Sequence, residues 1–389
     1  MPENISPEDV LKRKEPLALF AFFEPIGGLD RFQPAGFPEV GHVIYKAPRS
    51  SGAVENVCIV DSAASMANHL EAICMRGAHD YELVDDLQGM PYLRCVTGDL
   101  EEGKLPSHKR EVVVTSLTEG HRIASTYFLA GRTVDSEGLQ AEAPDSGKGK
   151  KGKSKANAPG KFEETLIREF GIVLPGSPRA HPPADKWWNV FRTIFRYDPN
   201  ALVHGVLFPQ WQIKIPRVLT AHLEAFGASR VDRSGVKFDR LGRTTSGQPI
   251  FAVDDATARE IRATFILDIA LVHSFGRKNG NDTVGLGDEQ KKFLVALALW
   301  KMQRLLDVPF RFRSGCHLKC AKLMDDKGQE VTIDVNMQDA ISTAGFQRPE
   351  VTDIFWPREE LYRAGEEEEN KEKKTEDETD GAEDEEESE

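Results

Sequence analysis

Three stretches of the sequence carry residue types at spacings that chemistry uses. Gly147 to Ser154, "GKGKKGKS", satisfies the phosphate-loop pattern GxxxxGK[ST] letter for letter. That pattern grips phosphate only between a buried strand and a helix, which aim backbone amides at the anion. Here "QAEAPDS" precedes it and "KANAPG" follows, so neither side has an apolar face to pack. The stretch reads as a flexible basic loop that touches polyanions in a salt-dependent way. The second stretch, Cys316 to Cys320, offers two thiols and His317. A structural zinc site needs four ligands, and Cys58, Cys74 and Cys95 stand alone. On a strand, Cys316 and Cys320 share a face and His317 points away. No metal or other cofactor is expected. The 10 histidines are scattered outside any hydrolase or metal motif, and no active site can be assembled from them.

The third stretch is Val60 to Ala72, "VDSAASMANHLEA". At 100° per residue, Ala63, Met66, Ala67, Leu70 and Ile73 cover one apolar face of a helix. Ser62, Ser65 and His69 fall together on one flank, Asn68 lies further round, and Glu71 is on the far side. Asp61 or Ser62 can cap the helix. Two readings stay open. One is a capped amphipathic helix with a polar edge. The other is an anion site, where small side chains leave the first-turn amides open to a phosphate. Asp61 opposes the second reading unless it is turned away.

These stretches must be positioned by the rest of the chain. Its 389 residues are 40% hydrophobic, enough for a sizeable core. No apolar run of about 18 residues exists, so no membrane span is expected. "MPENISPEDVLKRKEP" lacks a secretory apolar region, and five cysteines is a low, odd count. Reduced thiols and a cytoplasmic location are expected. The net charge of −13 is lopsided: Glu366 to Glu389 holds 15 acidic and 3 basic residues. The other 365 residues carry 48 acidic and 47 basic ones, so the body is neutral. A neutral body can still hold a locally basic groove.

Strands are expected at 17–23, 54–60, 81–84, 92–96, 111–117, 201–208 and 261–272. Helices are expected at 118–130, 161–171 (with Gly171 as its C-cap), 186–198 and 288–306. Residues 211–226 are ambiguous, with Pro216 favouring an edge strand. Residues 308–318 and 328–335 look like a closing strand pair. Residues 132–160 read as a mobile insertion and 364–389 as a disordered acidic tail. The mixture points to an α+β domain spanning 1–363.

Several segments together resemble one family. They are "FQPAGFPEVGHVIY" (32–45), "VDSAASMANHLE" (60–71), "TSLTEGHRIAS" (115–125), "HGVLF" (204–208), "IPRVLTAHLEA" (215–225), "SGVKFD" (234–239) and "LALWKM…RFRSGC" (297–316). In this order they are similar to the RAMP-superfamily backbone subunit of CRISPR interference complexes. That is the seventh Cas family, in its type I-G (formerly I-U) branch. The resemblance implies a modified RNA-recognition-motif (ferredoxin-like) core with large insertions. It implies copies stacked along a guide crRNA, held by its backbone and presented to target DNA in antiviral defence. It also implies partners: the large Cascade subunit and the RNA-processing, end-capping subunit. Such a subunit is a scaffold and not an enzyme, and sequence is left to base pairing.

The family's helix motif reads like D-S-x-Q-S-x-A-N-R-L-E. Asp61, Ser62, Ser65, Asn68 and Glu71 match, while Ala64 and His69 replace the Gln and Arg. Ser62, Ser65, Asn68 and His69 are therefore expected to face RNA. Arg31, Gln33, Arg122, Lys214, Arg217 and Lys237 are further donors within matched motifs. Two other functions remain in view. One is an RNA-cleaving relative using a loop aspartate such as Asp85, Asp86 or Asp99. The other is a CRISPR-unrelated α+β interaction protein.

Overall fold

The computed structural model describes residues 2–37, 41–101, 105–134, 161–172, 181–231, 255–280, 282–346 and 350–361. The Lys-rich phosphate-loop lookalike, Lys237, the acidic tail and most of the 132–160 insertion lie outside them.

The core elements, in chain order, are β1 (Leu17–Pro25), β2 (Ile44–Pro48), β3 (Val54–Asp61) and α1 (Ala63–Ala72). Then come α2 (Trp187–Tyr197), β4 (Leu219–Phe226), β5 (Glu260–Leu267), α3 (Asp288–Leu306), β6 (Phe310–Arg313) and β7 (Cys316–Asp325). The seven strands form one sheet in the order β6-β7-β1-β5-β4-β3-β2, every pair antiparallel. Within it, β1-α1-β4-β5-α3-β7 is a split βαβ arrangement with spatial order β7-β1-β5-β4, the ferredoxin-like topology. The α+β reading is therefore correct. A hairpin, β2–β3, is inserted before α1 and widens the sheet on one side; β6 widens it on the other.

Alternation builds the core. Leu17, Leu19, Ala21 and Phe23 of β1 are buried, as are Ile261, Ala263, Phe265 and Leu267 of β5. Their register aligns both rows on one face, and α1 packs against the neighbouring β4 and against α3. α3 is buried on nearly every side from Phe293 to Met302. Helices Pro7–Leu11, Pro199–His204 and Met337–Thr343 also pack against α3. A second sheet of four strands joins Glu111–Thr115, Tyr92–Thr97, Val351–Phe355 and Arg132–Thr133.

Most expected elements are present, including Gly171 as a left-handed C-cap at φ 70°. Five expectations fail, the first being the strand at 261–272, which ends at Leu267 because Asp268 caps a helix over Ile269–Ser274. Residues 118–130 are not one helix: a 3₁₀ turn, Arg122–Ala124, precedes a short helix, Thr126–Leu129. Arg122 has a φ of 56°, which no continuing α-helix accommodates. Residues 201–208 divide into helix Pro199–His204 and strand Val206–Phe208, because Gly205 turns the chain at φ 81°. Residues 211–226 divide too: Ile213–Ile215 pairs only with Val206–Phe208, while β4 lies inside the large sheet. Pro216 sits in the joint between them. Finally, 308–318 forms its own hairpin from β6 into β7, and Val331–Ile333 pairs with Glu3–Ile5 instead.

Candidate nucleic-acid interface

Strands β6 and β3 stand near opposite ends of the sheet order, yet their ends meet. The sheet curls until Arg313, at the end of β6, donates from Nη1 to the carbonyl of Val60 at 2.7 Å. The chain between β1 and β2 fills the seam. Gln33 N–H donates to Gly315 at 2.9 Å, and Ala35 N–H to Val60 at 3.0 Å. α1 starts from this seam.

Ser62 caps α1 in an extended conformation, its Oγ accepting the Ser65 amide at 3.2 Å. Asp61 is turned inward, its side chain 1% exposed. Its Oδ1 accepts the Ser62 amide at 3.0 Å and pairs with Arg313 Nη2 at 2.9 Å. Its Oδ2 lies 2.9 Å from His69 Nε2. The carboxylate that opposed an anion site is thus buried and neutralised. His69 is committed too, its ring edge-on to Phe310 (5.3 Å) and Phe312 (5.4 Å). Ser65 Oγ is 3.4 Å from the same His69 nitrogen.

The outward remainder of the flank is Ala64 and Asn68, exposed, with Ser62 and Ser65 half-buried. Arg217 Nη1 donates to the Ala63 carbonyl at 3.3 Å, which brings its guanidinium to the first turn of α1. Lys214, three residues earlier, is exposed. Neither cation meets a carboxylate among the described residues. Arg31 is exposed but shares its charge with Asp255 (3.5 Å) and Asp30 (3.4 Å). Gln33 is half-buried, with its backbone used to close the seam.

Arg122 is a correction. It is buried, and its guanidinium grips Glu71 through two bonds, 2.6 Å from Nε to Oε1 and 2.7 Å from Nη2 to Oε2. It also donates to the carbonyls of Gly120 and Gly205. No part of that fork is available to RNA. Glu71 accepts from Asn200 Nδ2 at 2.5 Å, and Lys301 Nζ bonds Asn200 Oδ1 and lies 2.9 Å from His204 Nε2. Glu71, which the helical wheel set on the far side, is buried because this network surrounds it. The network ties α1 to α3 and to helix Pro199–His204. Burial lowers the Lys301 ammonium and holds His204 well below the usual imidazole range. Asp198 is also buried here; desolvation, then the Glu71 charge, pushes its carboxyl up to about 7.

Sequence reasoning missed this network. Its one visible signal is Lys301 inside "LVALALWKM", a charge in an otherwise apolar run. The same reasoning missed Arg313, which carries no pattern of its own.

Cys316 is buried and Cys320 half-buried, with a bulge in the β1–β7 pairing beside Cys320. Among the described residues no group of three or more His, Cys, Asp or Glu is placed to hold a metal ion. Asp85 pairs with Arg76 at 2.9 Å, Asp86 accepts from Trp300 Nε1 at 3.2 Å, and Asp99 lies 4.0 Å from Arg358. No helix of the described residues is long and apolar enough to cross a membrane.

Comparison with known proteins adds one finding. The family model described as CRISPR-associated protein GSU0053 matches residues 17–230, more than half of the chain. The matched span holds β1, β3, α1, the Glu71–Arg122 pair, Lys214, Arg217 and β4. No curated protein matches.

Proposed function

We propose that this chain, which belongs to the CRISPR-associated protein GSU0053 family, is a non-catalytic backbone subunit of a type I-G interference complex. It oligomerises along a guide crRNA, holds the sugar–phosphate backbone and presents the bases to target DNA. The family membership supports a CRISPR role; the grip on RNA rests on the start of α1. There the only native carboxylate of the turn is buried against Arg313. The outward surface is left with Ser62, Ser65 and Asn68 as hydrogen-bonding groups and Arg217 at the same turn, with Lys214 exposed three residues before it; neither cation meets a carboxylate among the described residues. Such a surface suits phosphate contact without base readout. Other Cascade subunits, the large one and the RNA-processing one, are its partners.

Co-expression with those partners and a guide tests this. The expected result is a complex carrying short RNA, with several copies of this chain, and with binding that grows with RNA length and weakens with salt. Arg217→Ala with Lys214→Ala should lower RNA affinity at least tenfold. A free monomer in the presence of partners and guide, or RNA binding unchanged by the double substitution, sinks the reading. Metal-dependent cleavage of bound target would replace the scaffold reading with the RNA-cleaving one.

A further inference from the structure

We propose that the cleft between α2 and the start of α3 binds one nucleotide unit of a single-stranded nucleic acid. The phosphate sits on Arg192 and the nucleoside lies against Phe346. The cleft has a volume of about 240 Å³, and Arg192, Thr193, Phe195, Arg196, Gln290 and Phe346 are among the residues that line it. That space takes a phosphate and part of the nucleoside attached to it.

The charge of the cleft follows from its pairings. Arg192 and Arg196 stand one turn apart on the same face of α2. Arg196 is consumed: it pairs with Glu169 Oε2 and lies 4.5 Å over the Tyr197 ring. Glu169 is consumed with it, because its other oxygen accepts the Tyr197 hydroxyl at 3.3 Å. Arg192 is exposed and reaches only Asn189 Oδ1, at 3.5 Å. It has no carboxylate partner among the described residues. Among the described residues, then, one guanidinium without a carboxylate partner lines the cleft. A guanidinium fork matches two oxygens of a phosphate better than any other side chain. The acids in the first turn of α3 are Asp288 and Glu289, and Lys278 offsets Asp288 at 3.7 Å.

The apolar wall is a packed aromatic cluster. Phe346 stacks on Phe195 with centroids 4.9 Å apart and planes at 20°. Phe293 meets Phe346 edge-on at 4.8 Å and Phe195 edge-on at 5.8 Å. Phe195 and Phe293 are buried, and the half-buried Phe346 ring packs on both. A packed aromatic wall beside a phosphate-binding cation is sequence-tolerant, because every base offers an apolar face. Gln290 uses its Oε1 to accept the Gly287 amide at 2.9 Å, which leaves its amide nitrogen as a donor at the cleft. A lone phosphate would use the cation and ignore the wall; a nucleotide uses both. None of these residues belongs to the α1 interface, so the site stands or falls separately from the guide-RNA reading.

Binding by the full-length chain is measured by calorimetry with four probes: (dT)10, thymidine 5′-monophosphate, thymidine and inorganic phosphate. All measurements use a Lys214→Ala, Arg217→Ala background, which removes the α1 contribution. (dT)10 should bind tightest and lose at least tenfold affinity on Arg192→Glu. Phe346→Leu, which keeps the apolar volume, should cost several-fold. Circular dichroism of each variant checks folding, and Arg192 is a surface residue. Equal (dT)10 affinity with and without Arg192→Glu overturns the proposal. So does monophosphate or inorganic phosphate binding as tightly as (dT)10, which makes the cleft a free-anion site. Failure of guide binding in the same background bears only on the α1 reading.

Discussion

Asp61 is a buried carboxylate held by Arg313, by His69 and by the Ser62 amide. Breaking a buried pair by removing one partner leaves a charge without compensation, at a cost of about 3 kcal/mol. Arg313→Ala should therefore lower stability by about 2–3 kcal/mol, allowing for the partial exposure of Arg313, as read from urea denaturation. It should also weaken RNA binding, because the Asp61 carboxylate beside the helix start then loses its guanidinium; unchanged affinity would detach Asp61 from the interface. Asp198 gives a prediction in pH. Its carboxyl titrates near 4 when unfolded and is pushed up to about 7 in the fold. Between those values the folded chain holds a proton that the unfolded chain releases. Stability from this group is thus full below about pH 4, falls as pH rises by at most about 1.4 kcal/mol per unit, and is flat above about 7. Asp198→Asn should match the wild type at pH 5 more closely than at pH 8, where the variant should be the more stable relative to it. Urea midpoints at the two pH values check the sign. His204 is present in both proteins and cancels from the difference.

At the scale of elements, α1 is held at both ends. The Asp61–Arg313 pair fixes its start to the closed seam of the sheet, and the Glu71–Arg122–Asn200 group fixes its end to α3 and its neighbours. The flank proposed to meet RNA lies between two anchors, so little ordering is left for binding to supply. Glu71→Gln leaves the guanidinium of Arg122 and the ammonium of Lys301 buried without their anion. The expected loss is about 3–5 kcal/mol. Amide exchange should show faster opening of α1 than of β1 and β5; uniform loss across all three would show that the group stabilises the whole core and not this helix. Several motif segments converge on the same place. Glu71 lies in "VDSAASMANHLE", Arg122 in "TSLTEGHRIAS", His204 in "HGVLF" and Lys301 in "LALWKM". Much of what those motifs have in common is thus a buried anchor and not a direct contact with ligand.

For the whole molecule, charge is divided along the chain. The last 24 residues hold 15 acidic groups against 3 basic ones, while the body is close to neutral. A tethered polyanion competes with RNA for any cationic surface within its reach, and salt screens that competition. Truncation after Gly365 should raise non-specific RNA affinity several-fold at about 50 mM salt, where the Debye length is longer than 10 Å, and have little effect near 0.5 M. Fluorescence anisotropy with a labelled RNA reads both conditions. Equal affinity for both chains at low salt would leave the tail without this role.

The amino-acid sequence by itself determined most of the elements and their buried faces. The alternation in "LALFAFF" and "IRATFIL", the 3.6-residue period of 288–306 and the cap at Ser62 are local patterns, and local sterics and solvation suffice to read them. It also located the helix whose start is the candidate interface. What it could not determine is which polar residues of that helix face outward. Asp61, His69, Glu71 and Arg122 have the composition of a ligand site, yet three of the four are buried and all four are spent on protein partners. Arg313, which pairs with Asp61, and Asn200, which bonds Glu71, lie far along the chain from them, and no local rule pairs them. Only the curl of the sheet, bringing the ends of β3 and β6 together, decided that Asp61 is neutralised inside and that Ala64 and Asn68 are what the helix start leaves exposed. A buried charge must find its counter-charge wherever the chain brings one, and that search is settled by tertiary packing, not by spacing along the sequence.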